Sequence, residues 1–166
     1  MAKIRISHDF RCSSIALFWR GYFDETHQAN LDSTSDMKER EVLEFTETDE
    51  TIYREVRMVP KRQLPGFIRK FTNELGYTEK SKLVKADNRM TIDIIPTVFT
   101  NRSRITGIYT IEQVDAETIR RTYDGEIEIK VALVGKKIEK TVIEDMQRSF
   151  AAGAACTQKW LDEHSD

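Results

Sequence analysis

Four residues able to do polar chemistry fall on strand faces that are otherwise apolar. Counting alternate positions, Arg54 sits with Ile52, Val56 and Met58, and Glu79 with Tyr77 and Leu83. Arg121 sits with Ile119 and Tyr123, and His8 with Ile6 and Phe10. A charge taken out of water without a partner is costly enough to be paired or neutralised. The pattern therefore predicts an Arg54–Glu79 ion pair on neighbouring strands and a second polar point where His8 meets Arg121. Groups of this kind orient the polar head or carboxylate of a mostly apolar ligand. Two other readings stay open: the sheet opens to solvent at these positions, or a one-residue bulge reverses the faces.

Large apolar side chains supply the walls such a site would need. Met58, Phe67, Phe71, Tyr77, Ile92 and Ile94 come from the middle of the chain. Tyr109, Tyr123, Met146 and Phe150 come from its second half. With Arg54, Glu79 and Arg121 these form the candidate ligand-binding set; ordinary core packing is the competing account of the apolar members. The small run Ala151-Ala152-Gly153-Ala154-Ala155 either leaves room beneath a helix or lets helix and sheet approach closely. Lys61 to Lys70 mixes basic and apolar residues, as a pocket cover or a transient membrane contact would.

Signatures of catalysis and metal binding are missing. His8, His27 and His164 lie far apart, and no H-E-x-x-H, C-x-x-C, G-x-S-x-G or G-x-G-x-x-G occurs. No metal or cofactor is expected. Net charge is −2, from 26 basic and 28 acidic side chains spread along the chain, which does not fit a strongly basic nucleic-acid binder. Cys12 and Cys156 read as free thiols of a reducing compartment. No stretch reaches the roughly 18 apolar residues of a bilayer span. These features predict a soluble, cytoplasmic protein without stable membrane insertion.

The elements that must position these residues follow from hydrophobic period. Lys3 to Arg11 alternates as a half-buried strand, and Ser13 or Ser14 can cap the helix that follows. A second short helix is expected between Asp24 and Asp36. Strands resume near Met37, with Leu43 and Phe45 on one face, and turns are read at Thr48-Asp49-Glu50, Asp87-Asn88 and Asp115-Ala116-Glu117. Leu64, Phe67, Ile68 and Phe71 suggest a short amphipathic helix. After Gly135 the period changes: Ile138, Val142, Met146, Phe150, Ala154 and then Thr157 or Trp160 make one helical stripe ending near Leu161. Seven antiparallel strands with one apolar face need a cover, and only the terminal helix is long enough. The 166 residues are thus expected to form one α+β domain.

This layout resembles the START-like (Bet v 1-like) superfamily, SRPBCC, and within it a bacterial START-like family of uncharacterised function. The similar phrases are Ser7-His8-Asp9-Phe10, Ile52-Tyr53-Arg54-Glu55-Val56-Arg57, Arg62-Gln63-Leu64-Pro65-Gly66-Phe67, Gly76-Tyr77-Thr78-Glu79 and Glu126-Ile127-Glu128-Ile129. The resemblance implies the helix-grip fold, a seven-stranded curved antiparallel sheet over a long C-terminal helix, with short helices after strand 1. It also implies a cavity between sheet and helix for a small apolar molecule, lipid-like or polyketide-like. Two alternatives accompany that reading: an aromatase/cyclase- or dehydratase-like enzyme using Tyr109 or Tyr123 near Arg121 or His8, and a protein-interaction module with a filled interior.

Overall fold

A computed structural model describes residues 1–61, 65–72 and 75–165. The first strand, β1 (Ala2–Arg11), leads into two short helices, α1 (Ile15–Tyr22) and α2 (Glu25–Thr34). Both helices begin on side-chain caps: Ser14 Oγ accepts from the Leu17 N–H, and Asp24 Oδ1 from the His27 N–H. Each cap satisfies a backbone donor that the helix leaves free, a gain of about 1 kcal/mol.

Six strands follow: β2 (Met37–Glu47), β3 (Thr51–Pro60), β4 (Tyr77–Val84), β5 (Arg89–Pro96), β6 (Ser103–Asp115) and β7 (Thr118–Ile129). A single helical turn, α3 (Gly66–Arg69), lies between β3 and β4, and the chain ends in α4 (Gly135–His164). All pairings are antiparallel, in the order β1-β7-β6-β5-β4-β3-β2. The chain therefore crosses from one sheet edge to the other through α1 and α2, then meanders back until β7 meets β1.

The turns lie where turn chemistry demands. Thr48 Oγ1 accepts from the N–H groups of Glu50 and Thr51. Asn88 takes the left-handed conformation (φ 49°) after Asp87, and its Oδ1 accepts from Trp19 Nε1 at 3.2 Å. That bond ties α1 to the β4–β5 turn.

Two expectations meet local irregularities. In β2 a bulge between Val42 and Glu44 makes Leu43 the extra residue, so Val42 faces Val56 and Phe45 faces Arg54. The bulge interrupts the simple alternation there, and Val42, Leu43 and Phe45 are all about half exposed. Between β3 and β4 the expected short helix is present as α3, with Phe67 and Ile68 in it and Phe71 beyond it, and its expected member Leu64 lies outside the described residues.

The sheet's concave face carries the core, and α4 runs along it. Its first turns are fixed by buried Ile138 and by Glu139, whose Oε1 accepts from the Ile129 N–H at 3.0 Å. Its last turns are fixed by buried Thr157, Trp160 and Leu161. The ring of Trp160 lies so close to Gly21 that a β-carbon there would stand 2.7 Å from it. Between these two ends Val142, Met146 and Phe150 are only partly buried. The helix is anchored at both ends and bridges a gap.

Candidate functional site

That gap is a cavity of about 500 Å³, within the range of small-molecule pockets. A filled interior does not describe this chain. Arg54 and Met58 of β3, Tyr77 and Glu79 of β4, and Ile92 and Ile94 of β5 line it. So do Tyr109 of β6, Arg121 and Tyr123 of β7, and Met146 and Phe150 of α4. Exposed lining residues, Thr34, Asp36, Arg148 and Ser149, mark where it reaches the surface, between the end of α2 and the middle of α4.

Phe67 and Phe71 are not on the wall. One helical turn turns a single side chain inward, and in α3 that side chain is Ile68, fully buried and facing the cavity. Phe67 packs against the edge of the core, while Phe71 is half exposed and meets Phe99 edge-on at 4.9 Å. Phe99 itself lines the cavity with φ at 57°, a backbone region uncommon for an aromatic residue.

Within the small run on α4, Ala152 and Gly153 line the cavity and Ala154 packs against the core. A β-carbon on Gly153 would meet Leu31 of α2 at 3.3 Å, so the missing side chain at that position also makes room for α2.

The rings of α1 form one end of the cavity, a role the sequence pattern did not reveal. Tyr22 lies 5.7 Å from Tyr109, and Phe18 6.4 Å from it. On the helix side Phe150 lies 5.4 Å from Tyr123 and 6.2 Å from Tyr109. The signal was present in the crowding of aromatic residues at helical spacing from Phe18 to Phe23. Alternation along strands could not say that this helix turns inward.

Among the polar groups in this wall are the three expected from the sequence. Arg54, 6% exposed, is not ion-paired with Glu79 as expected. In the β3–β4 register Arg54 faces Ser81 and Glu79 faces Val56, which sets the two charges diagonally apart. Arg54 stacks instead on Tyr22 and Phe23, 5.2 and 5.1 Å from the ring centres, and its buried Nε has no hydrogen-bond partner.

Glu79 is the second. Burial pushes its carboxyl above the ordinary carboxylate range, and the charges of Arg54 and Arg40 only partly oppose this. Arg40 is already matched, with Nε donating to Asp32 Oδ2 at 2.8 Å.

Arg121 is the third, also 6% exposed and directly opposite His8 in the β1–β7 pair. Its Nη2 donates to His8 Nδ1 at 2.9 Å, and its guanidinium lies 5.0 Å from the Phe10 and Phe150 rings. Accepting at Nδ1 requires the neutral imidazole; burial first, then the Arg121 charge, lower the pKa of His8 accordingly. Burial also raises the pKa of Tyr22 and Tyr109, which keeps both as phenols able to donate hydrogen bonds.

Among the described residues, the cavity thus combines apolar walls, phenolic donors, two guanidiniums without a carboxylate in contact, and a carboxyl whose pKa burial raises. Among the described residues no group of three or more His, Cys, Asp or Glu side chains is placed to hold a metal.

Residues 6–161 match the model of a family described as "Protein of unknown function (DUF2505)". No curated protein matches the chain. Solved structures share its fold. The aromatase/cyclase Zhui from Streptomyces sp. R1128 aligns with a TM-score of 0.65 at 14% identity, covering 98% of this chain and 95% of that one. Norcoclaurine synthase from Thalictrum flavum, in complex with dopamine and hydroxybenzaldehyde, gives 0.64 at 18% identity, with 99% and 90% covered. A START superfamily protein from Mycobacterium smegmatis gives 0.57 at 10% identity, with 98% and 99% covered. The architecture is the START-like, Bet v 1-like helix grip.

Proposed function

Since this chain belongs to the family described as "Protein of unknown function (DUF2505)", we propose its role from its own interior: it acts as one START-like domain that binds or carries a small, mostly apolar molecule between the sheet and α4. The observation that carries this reading is the unfilled space under the middle of a helix whose two ends are buried. Withdrawing 200–300 Å² of apolar ligand surface from water is worth about 5–7 kcal/mol before association costs are subtracted. Micromolar binding is within that range. The small aromatic molecules held by norcoclaurine synthase support the reading by likeness of fold. Two free cysteines, Cys12 and Cys156, and no described helix long and apolar enough to cross a membrane accord with a cytoplasmic carrier.

Native mass spectrometry with extraction of the freshly purified protein tests this. A small apolar molecule should travel with the wild type and be displaced in Met146→Trp, which fills the space from α4. A protein that is repeatedly empty, and that binds no apolar probe, would remove the reading.

A second reading rests on Glu79. A carboxyl whose pKa burial raises, close enough to the Tyr22 phenol to act on it electrostatically, is equipped for acid–base work in an apolar cavity, as in an aromatase/cyclase- or dehydratase-like enzyme. Chemical conversion of the recovered molecule, stopped by Glu79→Gln with binding retained, would favour it.

A further inference from the structure

Resting on the reading of the cavity as a ligand site, we propose that its ligand is an amphipathic anion whose carboxylate is seated by Arg54. Three observations lead there. The Arg54 side chain is more than nine-tenths buried, lines the cavity, and has a buried Nε with no hydrogen-bond partner. Among the described residues no carboxylate lies within ion-pair distance of it: Asp32 pairs with Arg40, and the register sets Glu79 diagonally away. The rings of Tyr22 and Phe23 lie near its guanidinium as cation–π partners.

The chemistry of the guanidinium selects the partner. A guanidinium is planar, and its N–H bonds lie around its edge, to be met by acceptors in its plane. A carboxylate presents two such acceptors at the matching spacing. A single negative charge also balances the charge of Arg54. Glu79 does not fill that role, because burial favours its protonated form, in which it can donate a hydrogen bond to an acceptor. Arg121 is engaged differently, by His8 Nδ1 and the Phe150 carbonyl. The apolar remainder of the ligand would lie toward Ile92, Met146 and Phe150.

Calorimetric titration of the full chain with three ten-carbon probes, decanoate, decanol and decylammonium, each below its aggregation threshold, tests the charge. Decanoate should bind at least tenfold tighter than either of the others. Arg54→Gln should lower decanoate affinity tenfold or more while changing decanol affinity less than twofold, and Arg54→Lys should recover part of the loss. Replacing decanoate with 2-naphthoate, against 2-naphthol, tells whether the anion is fatty or aromatic. Equal binding of decanoate and decanol by the wild type, or a preference for decylammonium, would overturn the proposal while leaving the cavity as a ligand site. Failure of every probe would remove both readings. The wild-type comparison decides even if Arg54→Gln does not fold, which circular dichroism would reveal.

Discussion

The ring of Tyr123 occupies the space where a β-carbon on Gly107 would stand, 2.3 Å from the ring atoms Cε2 and Cζ. Gly107 faces Gly125 across the β6–β7 pair, and the same ring would lie 2.7 Å from a β-carbon there. Tyr123 therefore lies along the floor of the cavity instead of standing into it, with Phe150 5.4 Å away. Gly107→Ala should cost about 1–3 kcal/mol, as overpacking in a dense interior does. Urea denaturation reads it, and a loss below ~0.5 kcal/mol, inside the usual scatter of surface substitutions, would mean the ring moves freely.

Glu79→Gln should stabilise the protein at neutral pH. Its folded pKa is raised, so between the unfolded value near 4.5 and the folded one the native state holds the extra proton. Stability then falls as pH rises through that window. Gln carries no such dependence, so its melting temperature should exceed the wild type's at pH 7, and the gap should close toward pH 4.

His27 and His8 impose the opposite slope. Burial lowers the pKa of both; for His27 the nearby Asp24 opposes the shift and His164 adds to it. The unfolded chain binds protons first, so stability is complete above about pH 6.5 and declines as pH falls below it. His27 is buried against Trp160, its Nε2 near Thr157 Oγ1 at 3.4 Å. Denaturation midpoints at pH 5 to 8 should show a smaller acid loss in His27→Gln.

Leu133 lies fully exposed in the loop before α4 with φ at 69°. A left-handed leucine carries a steric penalty that glycine lacks, partly offset by glycine's greater freedom when unfolded. Leu133→Gly should gain about 0.5–1 kcal/mol in chemical denaturation. A loss would show that the loop depends on the leucine side chain.

How much of this was legible depended on whether a residue obeyed a period. Strict alternation placed His8 and Arg121 inward and neighbouring, and the 3.6-residue stripe from Ile138 to Trp160 gave α4. Alternation also put Arg54 and Glu79 on one face, but it says nothing of register, and the diagonal offset between them is a property of the β3–β4 pairing. The Leu43 bulge and the inward turn of Ile68 break a period locally. Tyr22 enters the cavity from a helix whose orientation is fixed by distant partners, Trp160 against Gly21 and Asn88 on Trp19. The glycines at 107 and 125 were visible, but only the partner ring gives them meaning.

Helix α4 works as a beam on two supports. It is held at one end by Glu139 on β7 and at the other by Trp160 against α1 and α2, while Val142 and Met146 in the span between line the cavity. Drift in sequence at 142, 146 or 149 therefore reshapes what can be accommodated without loosening either support. Relatives could reshape that space by altering one stretch of a helix while keeping its ends.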